Sequence, residues 1–472
     1  MVRPLGAACL AVPLKVDLRV ASEGIGDKCP KNRRYGYVFT SLKIHIRKEG
    51  KIEERQMNPK HYYLLVLITL TMANGSSAAD SLSLDDCISL AKERNVTLSQ
   101  AAAAREKAQA GVVNAYSSYY PGIDLSGSYR NQEGLAGERE GRYSTSLGLQ
   151  YPIFRGGYIR AGTKIARADV DAAEADYRLA EDEVILAVQE AFFRILQKQD
   201  QIALVDAILK RRRDDLVIIR LKYDAGRESS PAVQEAEANL LQAEYDKMKA
   251  EQELALAQVE LSLLLGRPSE EEIAIRHEDK PIEFPPLESM IEEAQSERPE
   301  IYAEKARKEA LQAQVSQAKS NYWPTISLSG SYGLQGDRFL AQEGGWSAGI
   351  NVSLPLFEGF ARKAKVTQAV LSVREGELRL TRLEDSIEEE VGQAYSNWEL
   401  ARKNLDVGET SLDATRAMYQ LTKLQYEQGL TSYLFLQQKE SALTQAEYNQ
   451  ANALFNLRTS AARLQKAWGR RY

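Results

Sequence analysis

A serine, histidine or cysteine in suitable company would be the first sign of an enzyme, and the sequence offers few. Gly345-Trp346-Ser347-Ala348-Gly349 matches the GxSxG pattern of a serine nucleophile. That chemistry needs a sharp strand-to-helix turn and a histidine base. Instead a two-residue alternation continues through Leu354, and His277 lies in a Pro- and acid-rich stretch. Esterase activity is therefore rejected and the chain reads as a non-enzyme. Of three histidines and three cysteines, only Cys87 and His277 lie beyond residue 61. A Cys/His zinc cluster lacks ligands, and no metal or other cofactor is expected. A glycine-rich phosphate loop is absent, so any energy source belongs to a partner. The net charge of −5 gives no sign of nucleic acid as a partner. Arg211-Arg212-Arg213 reads as a solvated helix face.

The elements carry the information instead. Charged residues make up 27% of the 472 and apolar residues 44%, a composition that is neither disordered nor membrane-helical. The strongly apolar run Tyr62–Met72 is about half of the ~20 residues a spanning helix needs. Lys60 precedes it and Ser77-Ala78-Ala79 follows, the layout of a secretory signal peptide over 57–79. Residues 1–56 then form an upstream extension, unstructured or non-native. The competing reading of the run is an apolar strand or short core helix.

The rest of the chain is written twice. Ser126-Gly-Ser-Tyr129 recurs as Ser329-Gly-Ser-Tyr332, an offset of 203. The same offset pairs Pro121 with Pro324, Pro152 with Pro355, Tyr223 with Tyr426, and Gly226 with Gly429. Residues 80–266 and 287–472 are therefore two repeats, and 267–286 is their linker.

Each repeat opens with a helical stretch, 84–119 or 287–320, ended by Tyr120-Pro121 or Trp323-Pro324. The period then drops to two. Ile326, Leu328, Tyr332 and Leu334 oppose Thr325, Ser327, Ser329 and Ser331; Trp346, Ile350 and Val352 oppose Ser347, Gly349 and Asn351. The first repeat does the same around Ile123–Tyr129 and Tyr143–Tyr151. Strands of about 10 residues, a small hydroxyl-rich face and aromatics at the ends suit a membrane barrel. A soluble sandwich is the alternative. Pro152-Ile-Phe-Arg-Gly-Gly157 and Pro355-Leu-Phe-Glu-Gly-Phe360 are expected to break the second strand of each pair and launch a helix.

Residues 158–224 and 360–427 follow without proline, each long enough as a helix to reach ~100 Å. Val188, Ile195, Ile202, Leu209, Leu216 and Tyr223 repeat every seven positions, as do Val391, Trp398, Leu405, Leu412, Tyr419 and Tyr426. That period means coiled-coil packing against returning helices that carry Leu240, Leu254 and Leu261, or Leu436, Leu443 and Leu464. Gly226 and Gly429 suit the turns between outgoing and returning helices.

Four strands cannot close in lipid, where open sheet edges cost several kcal/mol per unpaired group. Two, three or four chains would supply eight, twelve or sixteen strands. The duplicated helix–strand–strand–long-helix plan, the Pro-Ile/Leu-Phe-x-Gly element and Tyr-x-x-Gly at each helical turn resemble the TolC family of outer-membrane efflux proteins. The resemblance implies a mainly α fold with transmembrane β: a trimeric 12-stranded β-barrel continued by a long α-helical coiled-coil tunnel. It implies a homotrimer in the Gram-negative outer membrane and a periplasmic adaptor that bridges to an inner-membrane pump of RND or ABC type. It also implies export of substrates, with protein secretion as the alternative cargo class. Family members narrow the tunnel at the tip, often with acidic residues; the matching positions here are Phe435 and Gln438. A constriction from Leu434, Phe435 and Gln438, with Glu235 nearby, is expected, and Gly226, Arg227, Gly429, Leu430 and Thr431 are the expected adaptor contacts. Packing of Leu434 and Phe435 in the coiled-coil core is the competing reading. A structural coiled-coil surface protein would explain the heptads but not the strands or the signal peptide.

Overall fold

The computed structural model describes residues 45–48, 51–54, 82–133, 139–268, 274–276, 283–339 and 343–470. The expected signal peptide and His277 lie outside them. One unit, Met1–Ser77, contains strand β1 (His45–Lys48) antiparallel to β2 (Lys51–Glu54). The other, Ala78–Tyr472, contains everything that follows.

Its first half runs α1 (Leu84–Arg94), α2 (Val96–Ser117), β3 (Gly122–Glu133), β4 (Arg139–Arg155), α3 (Tyr158–Asp224) and α4 (Ser230–Leu264). The second half runs α5 (Leu287–Glu297), α6 (Pro299–Ser320), β5 (Thr325–Gly336), β6 (Glu343–Ser353), α7 (Ala361–Glu427) and α8 (Tyr433–Trp468). The long helices α3 and α7 have 67 residues each. Two cores obey the same offset. Cys87, Val188, Leu261 and Leu265 are buried in one, and Met290, Val391, Leu464 and Trp468 in the other. The heptad rows are largely the buried seams, except that Tyr223 is exposed near the turn. On α4 a second row, Ala236, Ala243, Ala250 and Ala257, is buried at the same seven-residue spacing. Alanine lets the helices approach closely and gives little hydropathy signal.

Two expectations about the helices are corrected. The opening stretches are each broken in two, at Asn95 and at Arg298, where the backbone turns extended (ψ 131° and 135°). Both residues stay buried. The Asn95 side-chain carbonyl accepts from the amides of Thr97 and Leu98 and so starts α2, while Pro299 opens α6 at a position that needs no amide. The arginine run is also not one solvated face: Arg211 and Arg212 are largely buried in ion pairs, and Arg213 alone stands mostly in solvent.

The strands form a single antiparallel sheet in the order β3-β4-β5-β6. Register places Leu125, Leu147, Tyr332 and Trp346 in one row across it, and Ile123, Leu149, Gly330 and Ala348 in the next. Leu125, Ile123, Trp346 and Ile350 are exposed, and no described element of this unit covers their face. The sandwich alternative thus lacks its second layer. On the opposite face hydroxyls pair laterally: Ser126 with Ser146 at 2.8 Å, Ser128 with Ser144 at 2.8 Å, and Ser331 with Ser347 at 2.9 Å. Ser347 is therefore a mid-strand residue, and the GxSxG match has no elbow.

The strands have 12, 17, 12 and 11 residues, longer in most cases than the alternation suggests. Period-two patterning marks the stretch with two unlike faces, and the hydrogen-bonded ladder continues past it into polar residues such as Arg130 and Arg142. Pro152 does not end β4 as expected. β3 stops opposite Gln150, and β4 runs on to Arg155 against β5 alone, with a bulge between Pro152 and Phe154. One-sided pairing and the bulge accommodate the missing amide. The bulge also shifts the parity, so that Phe154 rather than Ile153 stands opposite Ile326.

Among the described residues no helix is long and apolar enough to cross a membrane.

Candidate functional site

The ends of the two helical hairpins are built alike. At the end of α3, Gly226 adopts φ +68°, its amide donates to the Tyr223 carbonyl at 2.8 Å, and the Arg227 amide donates to Lys222 at 2.8 Å. At the end of α7, Gly429 adopts φ +78°, donating to Tyr426 at 3.0 Å, and Leu430 donates to Gln425 at 2.8 Å. Both are Schellman turns, which satisfy the last carbonyls of a helix and require the left-handed conformation glycine adopts without strain. The Ser432 hydroxyl then accepts from the Phe435 amide at 3.4 Å and caps α8.

Near the tips one apolar cluster joins the two hairpins, with Leu216 and Ile219 from the first and Tyr419, Tyr426, Tyr433, Leu436 and Leu443 from the second. Polar pairs also cross between the hairpins. Arg211 forks onto both Glu447 oxygens at 2.9 and 2.7 Å. Arg212 stands 3.4 Å from Glu440 of the other hairpin and donates to the Asn239 carbonyl of its own hairpin at 2.7 Å. Asp215 accepts from Lys423 at 3.2 Å and from the Tyr419 hydroxyl at 3.5 Å. Lys222 donates to the Tyr426 carbonyl and lies over its ring, while the Tyr426 hydroxyl donates to Glu228 at 3.0 Å. Farther up, Glu190 meets Arg463 at 2.7 Å and Gln197 meets Asn452 at 2.8 Å. Burial pushes the Asp215 and Glu440 carboxyls above their ordinary range despite the cations beside them, and pushes the Tyr433 phenol to about 12. Among the described residues no group of side chains could hold a metal ion.

Comparison with known proteins decides the assignment. The family described as outer membrane efflux protein matches residues 87–267 and 290–470. The chain belongs to the outer membrane efflux protein family. It is similar to protein CyaE of Bordetella pertussis, 27% identical over 402 residues, which is 83% of this chain and 84% of that protein. It is 25% identical over 339 residues to the alkaline protease secretion protein AprF of Pseudomonas aeruginosa, 68% of each. The Campylobacter jejuni CmeC outer membrane channel shares the fold, with a TM-score of 0.72 at 20% identity over 82% of this chain and 85% of that one. The family is one of channel proteins, not enzymes, and the chain is an outer-membrane channel protein with a helical periplasmic part.

For an efflux-family tip, the expected residues fall as follows. Gly226, Arg227, Gly429 and Leu430 are exposed on the two turns, and Thr431 is half-buried. Leu434 is 68% and Phe435 41% exposed; the core positions beside them are Tyr433 and Leu436. Gln438 and Glu235 are also exposed, and the Lys439 ammonium lies 5.0 Å from the Phe435 ring centre. Glu440, on the same helix, is buried and faces Arg212 of the other hairpin. The residues that sequence reasoning missed are Asp215, Lys423 and the Arg211–Glu447 pair. A faint signal existed: Asp215 lies seven residues beyond Ile208 and shares its buried stripe.

Proposed function

We propose that three copies of this chain close a 12-stranded barrel and a helical tunnel. Together they form the outer-membrane exit duct of a tripartite export system, conducting substrates passively with no catalytic step. The single-layer sheet carries this reading. Its apolar face is exposed, its hydroxyl face suits water, and β3 and β6 have free edges that lipid does not tolerate. The helices support the same closure. α4 packs on α3, α3 on α8 and α8 on α7, so α4 and α7 are the outer members of the row. Both carry exposed apolar side chains, Leu241, Tyr245 and Met248 on α4 and Leu400, Val407 and Leu421 on α7, that a second copy would cover.

The tips meet a periplasmic adaptor through Gly226, Arg227, Gly429, Leu430 and Thr431, and the adaptor bridges to an inner-membrane pump of RND or ABC type. Leu434, Phe435 and Gln438, with Glu235 on the neighbouring hairpin, narrow the tunnel there. Their exposure in the single chain supports a lining role over a core role. Polypeptide cargo is the second reading, favoured by the likeness to an alkaline protease secretion protein. The test is biochemical. The protein should fractionate with the outer membrane, migrate as a heat-modifiable oligomer of three chains in detergent, and conduct ions in a planar bilayer. A monomer that is soluble without detergent would sink the proposal.

A further inference from the structure

Charge is sorted along the helices where they meet the sheet. α3 and α7 begin there, and α2 and α6 end there. The ten residues of each helix nearest the sheet are 108–117, 158–167, 311–320 and 361–370. They hold Arg160, Lys164 and Arg167 on α3, Arg362, Lys363 and Lys365 on α7, and Lys319 on α6, with no acid. Acids resume just beneath, at Asp169 on α3, Glu309 on α6 and Glu375 on α7. The whole chain carries a net charge of −5, so composition does not account for this collar.

Helix physics disfavours the placement. Arg160 and Lys363 are counterparts under the 203-residue offset, and each is the third residue of its long helix. The start of a helix is the positive end of its dipole and favours acids, yet neither helix has an acid in its first turn. Partners within the chain satisfy only part of the set. Lys164 meets Glu309 at 3.1 Å, Arg362 meets Glu358 at 3.2 Å in the turn above, and Arg167 donates to the Tyr116 hydroxyl. Arg160, Lys319, Lys363 and Lys365 are exposed and have no ion pair among the described residues.

Position supplies the occupant. Arg160, Lys164 and Arg167 share one face of α3, which continues at helical spacing through Asp171, Glu174 and Arg178. Those last three line a cleft with Glu293 of α5. A tube with an open bore takes the added helix α5 on its outside, so the stripe lies on the outer wall. Trp323, Tyr120 and Phe357, at the adjoining rim of the sheet, are 59, 70 and 75% exposed, as aromatics at a membrane–water interface are. Ten helical residues descend about 15 Å. That depth spans a headgroup layer of about 6 Å and one Debye length of about 8 Å.

We propose that this collar binds the phosphate headgroups of anionic phospholipid in the periplasmic leaflet, with Arg160 and Lys363 as its principal contacts. The collar continues the apolar sheet face that meets lipid, and a phosphodiester is the anion at that depth. The outward direction rests on the closed-tube reading above.

Lipid titration of the full-length protein in neutral detergent tests this. Phosphatidylglycerol should raise the temperature at which the oligomer dissociates on a gel; phosphatidylcholine and inorganic phosphate should not. A cation at a charged lipid surface is worth about a fivefold change in binding. Arg160→Gln/Lys363→Gln should therefore shift the titration midpoint more than tenfold, whereas the charge-retaining Arg160→Lys/Lys363→Arg should keep it. Lys210→Gln/Lys403→Gln, which removes two cations far down α3 and α7, should also keep it. An equal gain from phosphatidylcholine or from inorganic phosphate overturns the lipid assignment. An unchanged midpoint in Arg160→Gln/Lys363→Gln, or an equal shift in Lys210→Gln/Lys403→Gln, overturns the collar. Should the first glutamine variant fail to assemble, salt decides: a phosphatidylglycerol effect in the natural chain that survives high salt overturns the ionic contact. A monomeric mass in detergent overturns the closed tube, and with it the outward direction.

Discussion

Asn95 and Arg298 occupy the same place in the two repeats, and each donates a side-chain hydrogen bond to a carbonyl at the end of its own returning helix. Asn95 reaches the Leu264 carbonyl at 2.9 Å and Arg298 reaches the Ala467 carbonyl at 3.3 Å. The helix break and the helix end thus hold one another. Arg298 does more, because its guanidinium also binds Glu300 at 2.6 Å and Glu390 at 2.7 Å.

Truncating the two should therefore cost unequal amounts. Asn95→Ala removes a cap and one buried donor, about 1–2 kcal/mol. Arg298→Met leaves the half-buried Glu300 without its cation and should cost about 3 kcal/mol. Thermal unfolding in detergent would rank them, and equal melting temperatures would contradict the assignment.

The turn glycines carry a purely conformational load. Nothing lies within 4 Å of a Cβ placed at Gly429, so Gly429→Ala meets no clash but pays for φ +78°. The expected loss is about 1 kcal/mol, with Gly429→Asn costing less. A separate loss of adaptor binding, larger than the stability loss predicts, would be the mark of direct contact.

Acid should tighten the contact between hairpins. The folded pKa values of Asp215 and Glu440 lie above the unfolded ones, so the fold binds more protons in that interval. Their contribution is complete below the unfolded value of about 4 and is lost as pH rises through the folded value. Relative to the variant Asp215→Asn/Glu440→Gln, which mimics the protonated pair, the natural chain should gain thermal stability as pH falls from neutral into the carboxylate range. A pH-independent difference between the two would refute this.

Conductance probes the tunnel lining. Phe435→Ala should raise single-channel conductance in planar bilayers, and Leu436→Ala, altering a buried neighbour, should instead lower stability by about 2–5 kcal/mol. Unchanged conductance in Phe435→Ala removes that side chain from the constriction.

Phe360 is the non-glycine residue among the described positions held at positive φ, +68°, where the first repeat places Gly157 at +85°. Its ring is 75% exposed and meets Phe357 edge-on at 5.8 Å. Phe360→Gly should relieve about 1 kcal/mol of backbone strain. If oligomer stability falls instead, the ring is held by a neighbouring surface.

Long elements were readable from the sequence because their signals are redundant. α3 and α7 lie close to the proline-free stretches, and Val188, Ile195 and Val391 are buried as the seven-residue period requires. The break at Asn95 carries little local signal, and its stabilising partner lies 169 residues away, whereas Pro299 does mark the break at Arg298. The bulge at Pro152–Phe154 depends on where β3 stops, which alternation within β4 does not encode. At the tip, Gly226 and Gly429 announce themselves by type. Asp215, Glu440 and Arg211 do not, because charged residues are ordinarily solvated and only the packed partners reveal otherwise.

The lateral pairing of serines across the sheet has a consequence for traffic. Each bonded pair of hydroxyls spends one donor and one lone pair and keeps a second donor and three lone pairs. The face therefore stays wettable, and a polar solute passing along it would exchange its water for wall hydroxyls that bind about as well.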